Sequence, residues 1–424
     1  MKIKTFITVL LLAISLSSCT PAVTAIPTET AMPTALIPIP SATPTFLPTP
    51  TTSENFSNEL KCIYPEEIQS SPALNSTLLT SDGISNNIEL WNLETNKKIV
   101  LGRVVILSGA ISNYQKVALI DADKHQLKIV SPEGAILSTV SAPKNWVEIL
   151  DWPDSGHLLI SNMPFLQDGG WDPPSSTISL DLDSGKNVEF MPRYPDIYAY
   201  ISGPPGFGSY SYSLTAYDST LTRVLYPAEN QDSSFIVLWD ISNHKEIARI
   251  QTDFPFGDVQ WKKDATAFIV SAPPSYTDWQ GKVHKNVSDQ LPDVGGNELF
   301  LVSRDGEIKR LTYLTTKYVV NEYALSWSPN KENIAFWMKI GTDTPEWQLA
   351  ILETTTGKIT SYCINNDEGS LPIIWASDGN QLISTIAKKD GANSEFILID
   401  TQKNKSAIWS VKNQVVLGWL DKNR

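Results

Sequence analysis

One stretch decides the fold: Tyr323-Ala324-Leu325-Ser326-Trp327-Ser328-Pro329-Asn330-Lys331-Glu332-Asn333-Ile334-Ala335-Phe336-Trp337. It consists of two apolar runs separated by a short polar turn. Pro329 presets φ for that turn, and Asn330 tolerates the left-handed region of backbone conformation. The stretch therefore predicts a β-hairpin, and the same pattern recurs along the chain.

Copies of this hairpin share a polar turn and a following apolar run, and the clear copies also share the Trp. The clear copies start at Trp152, Trp261 and Trp375, and weaker copies start at Ile111 and Tyr217. A second hairpin follows each copy, as in residues 299–311. Because each pair of hairpins makes a four-stranded unit, the tandem units predict an all-β fold, a β-propeller of four-stranded blades.

The two ends of the repeat region are complementary fragments. The first unit, residues 76–101, lacks its first strand, and the chain ends with an isolated apolar strand around residues 415–420. Pairing of these N- and C-terminal strands in one blade closes the ring and removes two exposed strand edges. With that composite blade the count is seven, and six or eight blades are the alternatives.

The composition agrees with an all-β domain. Hydrophobic residues make up 42% of the chain and charged residues only 19%, with 13 Trp. Aromatic residues favour strands. The formal net charge of −13 argues against nucleic acid as a partner, since its phosphate backbone carries the same sign of charge.

The form hydrophobic-Trp-Ser-Pro-Asn at Trp327 resembles the TolB-like, WD40-like propeller repeat of bacterial envelope proteins. The resemblance extends over residues 70–424 and departs from the pattern at Trp261, where Lys262-Lys263 replace Ser-Pro. It implies a propeller that works outside the cytoplasm. The extra N-terminal α/β domain of TolB has no counterpart pattern here, so the specific role of TolB is not implied.

The N-terminus predicts the cellular address. A basic start and an apolar run lead to Leu16-Ser17-Ser18-Cys19, which resembles the bacterial lipobox. That resemblance implies a lipoprotein with a signal peptide over residues 1–18 and lipidation of Cys19, so that the protein is anchored to the membrane at the cell surface or in the periplasm. An ordinary signal peptide with a chance Cys, or an uncleaved anchor, is the alternative.

Three regions follow from these patterns. The signal peptide precedes a Thr/Pro-rich tether over residues 19–57, which has few charges and no apolar period and is expected to be disordered. The propeller domain occupies residues 58–424. Cys62 and Cys363 remain after lipidation, and they form either a disulfide in an oxidising compartment or two buried free thiols.

Long, aromatic, Gly/Pro-rich segments interrupt the repeats in blades 3 and 5 and between blades. The propeller layout places them on one face, where long loops on a rigid scaffold usually carry function. We expect ligand-binding residues there, and the candidates are Phe165, Trp171, Asp172, Phe207, Tyr210, Tyr276, Trp279 and Tyr318. The alternative is that these side chains fold back and cap the blades.

The favoured function is a non-enzymatic binding or interaction module for a protein, peptide or glycan. We expect a monomer without a cofactor. We also expect no metal, because the four His are scattered and no pair has metal-ligand spacing. One alternative is a glycan lyase or hydrolase, which requires clustered carboxylates at the funnel mouth. The candidates for that role are Asp168, Asp172, Asp278, Asp289 and Glu322. The other alternative is a purely structural envelope module.

Overall fold

The computed structural model describes residues 60, 62–72, 74–82, 84–162, 176–192, 216–229, 234–252, 259–274, 276–277, 283–284, 295–330, 332–341, 346–364, 371–387 and 394–421. The protein is all-β, and seven four-stranded blades form a ring. The seven-bladed propeller predicted from the repeats is therefore confirmed. Within the described residues no helix has the length and apolar character needed to span a membrane.

The N-terminal half of the described chain contains two short strands and then the first four blades. The short strands are β1 (Cys62–Ile63) and β2 (Glu66–Glu67). Blade 1 contains β3 (Ser76–Ser81), β4 (Asn87–Asn92) and β5 (Lys97–Arg103), and blade 2 contains β6 (Ala110–Ser112), β7 (Val117–Asp121), β8 (Gln126–Val130) and β9 (Ile136–Ser141). Blade 3 contains β10 (Trp146–Asp151), β11 (His157–Asn162), β12 (Ser176–Asp181) and β13 (Asn187–Pro192), and blade 4 contains β14 (Ala216–Tyr217), β15 (Arg223–Glu229), β16 (Ser234–Asp240) and β17 (Lys245–Thr252).

In blades 2 to 7 the strands are arranged in chain order, with the first strand of each blade at the ring centre. Blade 5 contains β18 (Val259–Trp261), β19 (Ala267–Ala272), β22 (Glu298–Ser303) and β23 (Ile308–Arg310), with an inserted pair β20 (Tyr276–Thr277) and β21 (Val283–His284). Blade 6 contains β24 (Val320–Trp327), β25 (Asn333–Ile340), β26 (Glu346–Glu353) and β27 (Lys358–Ile364). Blade 7 contains β28 (Ile373–Trp375), β29 (Gln381–Ala387), β30 (Ser394–Asp400) and β31 (Lys405–Val411), and the last strand is β32 (Val415–Asp421). Short 3-10 helices lie at Leu107–Gly109 and Leu314–Thr316.

The ring closes as the complementary ends predicted. β32 is the innermost strand of blade 1 and pairs antiparallel with β3, with Leu78 opposite Trp419. The backbone N–H of Asp421 donates to the carbonyl of Tyr114 in blade 2 at 2.9 Å. The Ser377 hydroxyl of blade 7 donates to the Asp421 carboxylate. The C-terminal strand thus joins three blades.

The repeated Trp residues pack between blades. Trp327 lies in the core between blades 5 and 6, and Trp375 lies in the core between blades 6 and 7. Their ring N–H groups donate to inner-strand carbonyls of the preceding blade, Trp327 to Gln260 at 3.2 Å and Trp375 to Ser326 at 3.0 Å. Trp261 donates in the same way to Ala216 of blade 4 at 3.1 Å. At these three positions one Trp side chain supplies both apolar volume and a donor that joins neighbouring blades, whereas the Trp152 ring packs between blades 2 and 3 without a hydrogen-bond partner within the described residues.

A segment that we call the strap, the described residues between Leu60 and Leu74, runs along the outer rim of blades 6 and 7. β1 adds a parallel fifth strand to blade 6 beside β27, and β2 adds one to blade 7 beside β31. A disulfide joins Cys62 of the strap to Cys363 of β27, with a Cα–Cα distance of 5.1 Å. The strap is therefore held by both backbone pairing and a covalent link.

Replacing both cysteines by serine is expected to lower the free energy of unfolding by about 2–5 kcal/mol, because the disulfide restricts the unfolded chain over a long sequence separation. The measurement is chemical denaturation of wild type and the Cys62→Ser/Cys363→Ser variant under oxidising conditions. Wild type under reducing conditions serves as the control and should match the variant. Identical midpoints for all three samples would show that the link contributes no stability.

Candidate functional site

The strand order divides the propeller into two faces. The connection between the second and third strands of each blade and the connection between blades reach one face, which we call the loop face. The hairpin turns of each blade reach the other, the turn face. β11 and β13 end at the loop face, and β12 and β14 begin there. The long segments between these strands, residues 163–175 and 193–215, lie outside the described residues.

Six of the eight predicted binding residues lie outside the described residues: Phe165, Trp171, Asp172, Phe207, Tyr210 and Trp279. Tyr276 lies in β20 and pairs with His284 of β21, which form a small hairpin inserted in blade 5. Tyr318 is half-buried against the core between blades 5 and 6, and the Lys317 ammonium lies 5.5 Å from its ring centroid. Tyr318 thus has a packing role, and the described residues do not bring it together with another candidate.

The described part of the loop face displays an aliphatic patch that sequence reasoning missed. Ile84 in the β3–β4 connection is 75% exposed, and Val105 and Ile106 in the connection from blade 1 to blade 2 are also exposed. The two connections are hydrogen bonded, because the Asn86 side chain donates to the Val105 carbonyl at 3.1 Å and the Val104 N–H donates to the Asn86 carbonyl at 3.1 Å. The three side chains therefore belong to one local surface. We call it the aliphatic patch.

Asp82 holds the connection that carries Ile84. Its carboxylate accepts hydrogen bonds from the backbone N–H groups of Ser85 at 2.9 Å and Asn87 at 3.3 Å and from the Asn87 side chain at 3.0 Å. Burial raises the pKa of Asp82, but the hydrogen bonds from Ser85 and Asn87 outweigh that effect, so the pKa lies below the usual carboxyl value. The carboxylate is therefore ionised at neutral pH, and it presents Ile84 on a preorganised turn.

Two inner strands carry a buried carboxyl group at their third residue, which lies near the loop face. Glu148 in β10 and Glu322 in β24 are both buried. Burial raises the pKa of Glu148, which a hydrogen bond from Ser108 partly offsets. Burial, and then the negative charge of Glu298, raise the pKa of Glu322 well above its usual value.

Glu298 is the centre of a buried polar cluster between blades 5 and 6. It accepts from the Arg310 guanidinium at 2.9 Å and from the Thr315 backbone N–H at 2.6 Å. The Thr312 hydroxyl also donates to it. Arg310 donates in addition to the Thr312 carbonyl at 2.8 Å. The charge pair thus has several hydrogen bonds that compensate for the loss of water.

Glu322 is influenced by the charges of this cluster, but it has no ion-pair partner within the described residues. Its Oε2 accepts from the Ser271 hydroxyl at 3.0 Å, and its buried Oε1 has no hydrogen-bond partner within the described structure. Among the five carboxylates considered for a hydrolytic site, Glu322 is the one whose side chain the structure describes. It is enclosed in a blade interface, away from solvent. Asp168, Asp172, Asp278 and Asp289 lie outside the described residues.

Within the described ranges, no group of three His, Cys, Asp or Glu side chains has the arrangement needed to hold a metal ion. The Asp121 carboxylate has a structural role, because it pairs with the buried Lys128 ammonium between strands β7 and β8.

Neither a protein-family profile nor a curated protein matches the sequence. Solved structures resemble the fold. TolB from Acinetobacter baumannii is 13% identical, covering 78% of this chain and 79% of that chain with a TM-score of 0.42. A quinonprotein alcohol dehydrogenase-like protein from Bacteroides thetaiotaomicron is 11% identical, covering 83% and 79% with a TM-score of 0.47. A putative dipeptidyl aminopeptidase IV from Bacteroides ovatus is 11% identical, covering 87% and 62% with a TM-score of 0.42.

Proposed function

We propose that this chain is a non-enzymatic binding module whose loop face takes a protein, peptide or glycan outside the cytoplasmic membrane. The aliphatic patch is the observation that carries the proposal. Exposed aliphatic side chains on preorganised connections offer apolar contact area at little cost in ordering. The same face receives the connections β11–β12 and β13–β14, which contain most of the aromatic candidates.

The proposal includes the location of the module. The lipobox-like residues Leu16 to Cys19 support a lipid anchor at Cys19, and residues 19–57 then serve as the tether between the membrane and the propeller. The disulfide between Cys62 and Cys363 fits an oxidising compartment, because structural disulfides persist there. We propose that the propeller acts as a monomer on this tether.

An affinity experiment tests the loop face directly. Wild-type protein is cross-linked in envelope extract, and the captured molecules are compared with those captured by two double variants, Trp171→Ala/Trp279→Ala and Ile84→Ser/Ile106→Ser. Both variants are expected to lose most of the specific capture, because both reduce the apolar area of the loop face. Tyr64→Ser removes an exposed aromatic from the strap and serves as the matched control.

Each outcome has a defined meaning. Loss of one captured species in both double variants, with retention in the Tyr64→Ser control, supports binding at the loop face. Equal capture by wild type and both double variants contradicts it. Thermal denaturation of every variant separates loss of the binding surface from loss of the fold.

A further inference from the structure

The strap shows how the rim of this propeller binds an extended segment. Its strands pair with the outer strands of blades 6 and 7, and Ile68 N–H donates to the Ile408 carbonyl of β31 at 2.9 Å. Its aliphatic side chains fill the clefts between blades: Leu60 packs on the core between blades 5 and 6, Ile63 on the next core, and Ile68 on the core between blades 7 and 1. One extended segment thus combines backbone pairing with about one aliphatic anchor per cleft.

The rim of blades 1 to 3 has the same kind of surface, and none of the described residues forms a strap there. Val100 of β5 is 61% exposed, Ile136 and Leu137 of β9 are 61% and 52% exposed, and Val188 of β13 is 67% exposed. All three strands are the outermost described strands of their blades. Large aliphatic side chains on three successive outer strands form an apolar band, and such bands on soluble proteins mark interaction sites.

These outer strands are neighbours in space. A Cβ placed on Gly134, in the turn that leads into β9, would lie 3.2 Å from Ile99 of β5. A Cβ placed on Gly185, in the turn that leads into β13, would lie 4.0 Å from Val140 of β9. The hairpin turns of blades 2 and 3 therefore pack on the outer strands of blades 1 and 2, so β5, β9 and β13 succeed one another around the rim.

β9 is the strand in this band that lacks protection against pairing. Its sequence Ile-Leu-Ser-Thr-Val-Ser contains no charge and no Pro. The other outer strands to which no described residue adds a strap are protected by charges, Pro or short length. β5 contains Lys97 and Lys98, β13 contains Glu189 and Pro192, β17 contains Lys245 and Glu246, and β23 is only three residues long. Charges, Pro and short length are the usual means by which proteins keep outer edges from pairing.

We propose that β9 and the flanking aliphatic band bind an extended segment of a partner protein that adds a strand to blade 2. The partner segment resembles the strap in its chemistry: it runs parallel to β9 and places aliphatic side chains in the clefts on either side. The strap on blades 6 and 7 of the same ring supports this occupant. The surface is separate from the loop face.

The probe is a synthetic peptide that copies strap residues 59–70 with the change Cys62→Ser. It is added to the full chain with its disulfide intact, so that blades 6 and 7 are already occupied. Saturating peptide is expected to slow amide hydrogen exchange in residues 137–141 at least tenfold. The same peptide N-methylated at Ile63, Glu66 and Ile68 keeps its side chains but loses backbone donors, and it is expected to give no protection.

The Ile136→Ser/Leu137→Ser variant is expected to lose the protection, whereas the Tyr64→Ser control keeps it. Four outcomes overturn the proposal. Absence of protection at β9, or equal protection by the N-methylated peptide, excludes strand addition by a strap-like segment. Self-association that disappears in Ile136→Ser/Leu137→Ser identifies a second copy of the chain as the occupant. Faster exchange of residues 137–141 after deletion of residues 20–55 identifies the chain's own tether.

Discussion

Deletion of residues 414–424 is expected to abolish cooperative folding of the propeller. The deletion removes β32, whose Val416, Trp419 and Leu420 are buried in the cores that blade 1 shares with its neighbours. Loss of one large buried side chain typically costs about 2–5 kcal/mol, and a whole domain is stable by only about 5–15 kcal/mol. The combined loss therefore exceeds the stability of the domain.

The position of β32 makes the loss more severe than a count of side chains indicates. Its removal exposes the inner edge of β3 and breaks the hydrogen bonds that link Asp421 to Tyr114 and Ser377. Gly418 faces Ser112 of blade 2 so closely that a side chain at this position would require Ser112 to shift. Blade 1 consequently loses its inner strand, blades 7 and 2 lose their contacts with that strand, and the ring opens at one point.

The measurement is the thermal transition followed by near-ultraviolet circular dichroism, which reports the packing of the interblade Trp residues. A shorter deletion of residues 422–424 serves as the control, because it leaves β32 intact, and it should melt like the full chain. Addition of a peptide with the sequence of residues 414–424 should restore part of the transition. A cooperative transition at the wild-type temperature in the longer deletion would show that the ring is stable without its closing strand.

The fold could be predicted because its determinants are local and repeated. The hairpin at Trp327 specifies two strands and a turn, and its copies at Trp152, Trp261 and Trp375 specify the same unit again. The composite blade was predictable for the same reason, since an incomplete first unit and a single final strand complement each other. Both features follow from period-2 patterning and turn chemistry, which short windows of sequence contain.

The rim and the loop face depend on contacts that no short window contains. The strap strands β1 and β2 are two residues long each, so they have no periodicity to detect, and their partners lie far away in blades 6 and 7. Ile84 gives the same sequence signal as a core residue, and only the Asp82 turn places it in solvent. Tyr318 fits either a binding or a packing role by sequence, and only the folded chain shows that it packs partly buried against the core between blades 5 and 6.

The carboxyl pair between blades 5 and 6 is expected to respond in opposite directions to the same substitution. Glu298→Gln keeps the shape of the side chain but leaves the buried Arg310 guanidinium without its ion-pair partner at 2.9 Å. Removal of one member of a buried ion pair costs about 3–5 kcal/mol. Glu322→Gln is expected to stabilise the protein at neutral pH, because Glu322 has no cation of its own and its charge is opposed by burial and by Glu298.

The pH dependence of stability distinguishes the two residues. The pKa of Glu322 in the folded protein lies well above its ordinary value of 4.5. The stability that its protonated form contributes is therefore present below about pH 4.5 and is lost as the pH rises towards the raised folded-state pKa. The free energy of unfolding of Glu322→Gln, measured by urea denaturation, should exceed that of wild type only slightly near pH 4. This difference should grow towards pH 8. A constant difference between wild type and Glu322→Gln at all pH values would contradict this assignment.

The double variant Glu298→Gln/Glu322→Gln tests whether the two carboxyl groups interact. In the Glu298→Gln protein the negative charge that helps to raise the pKa of Glu322 is gone, whereas the larger effect of burial remains. The stabilisation by Glu322→Gln at neutral pH should therefore have the same sign in the Glu298→Gln protein as in wild type but be smaller. Additive effects of the two substitutions would mean that the two carboxyl groups do not interact.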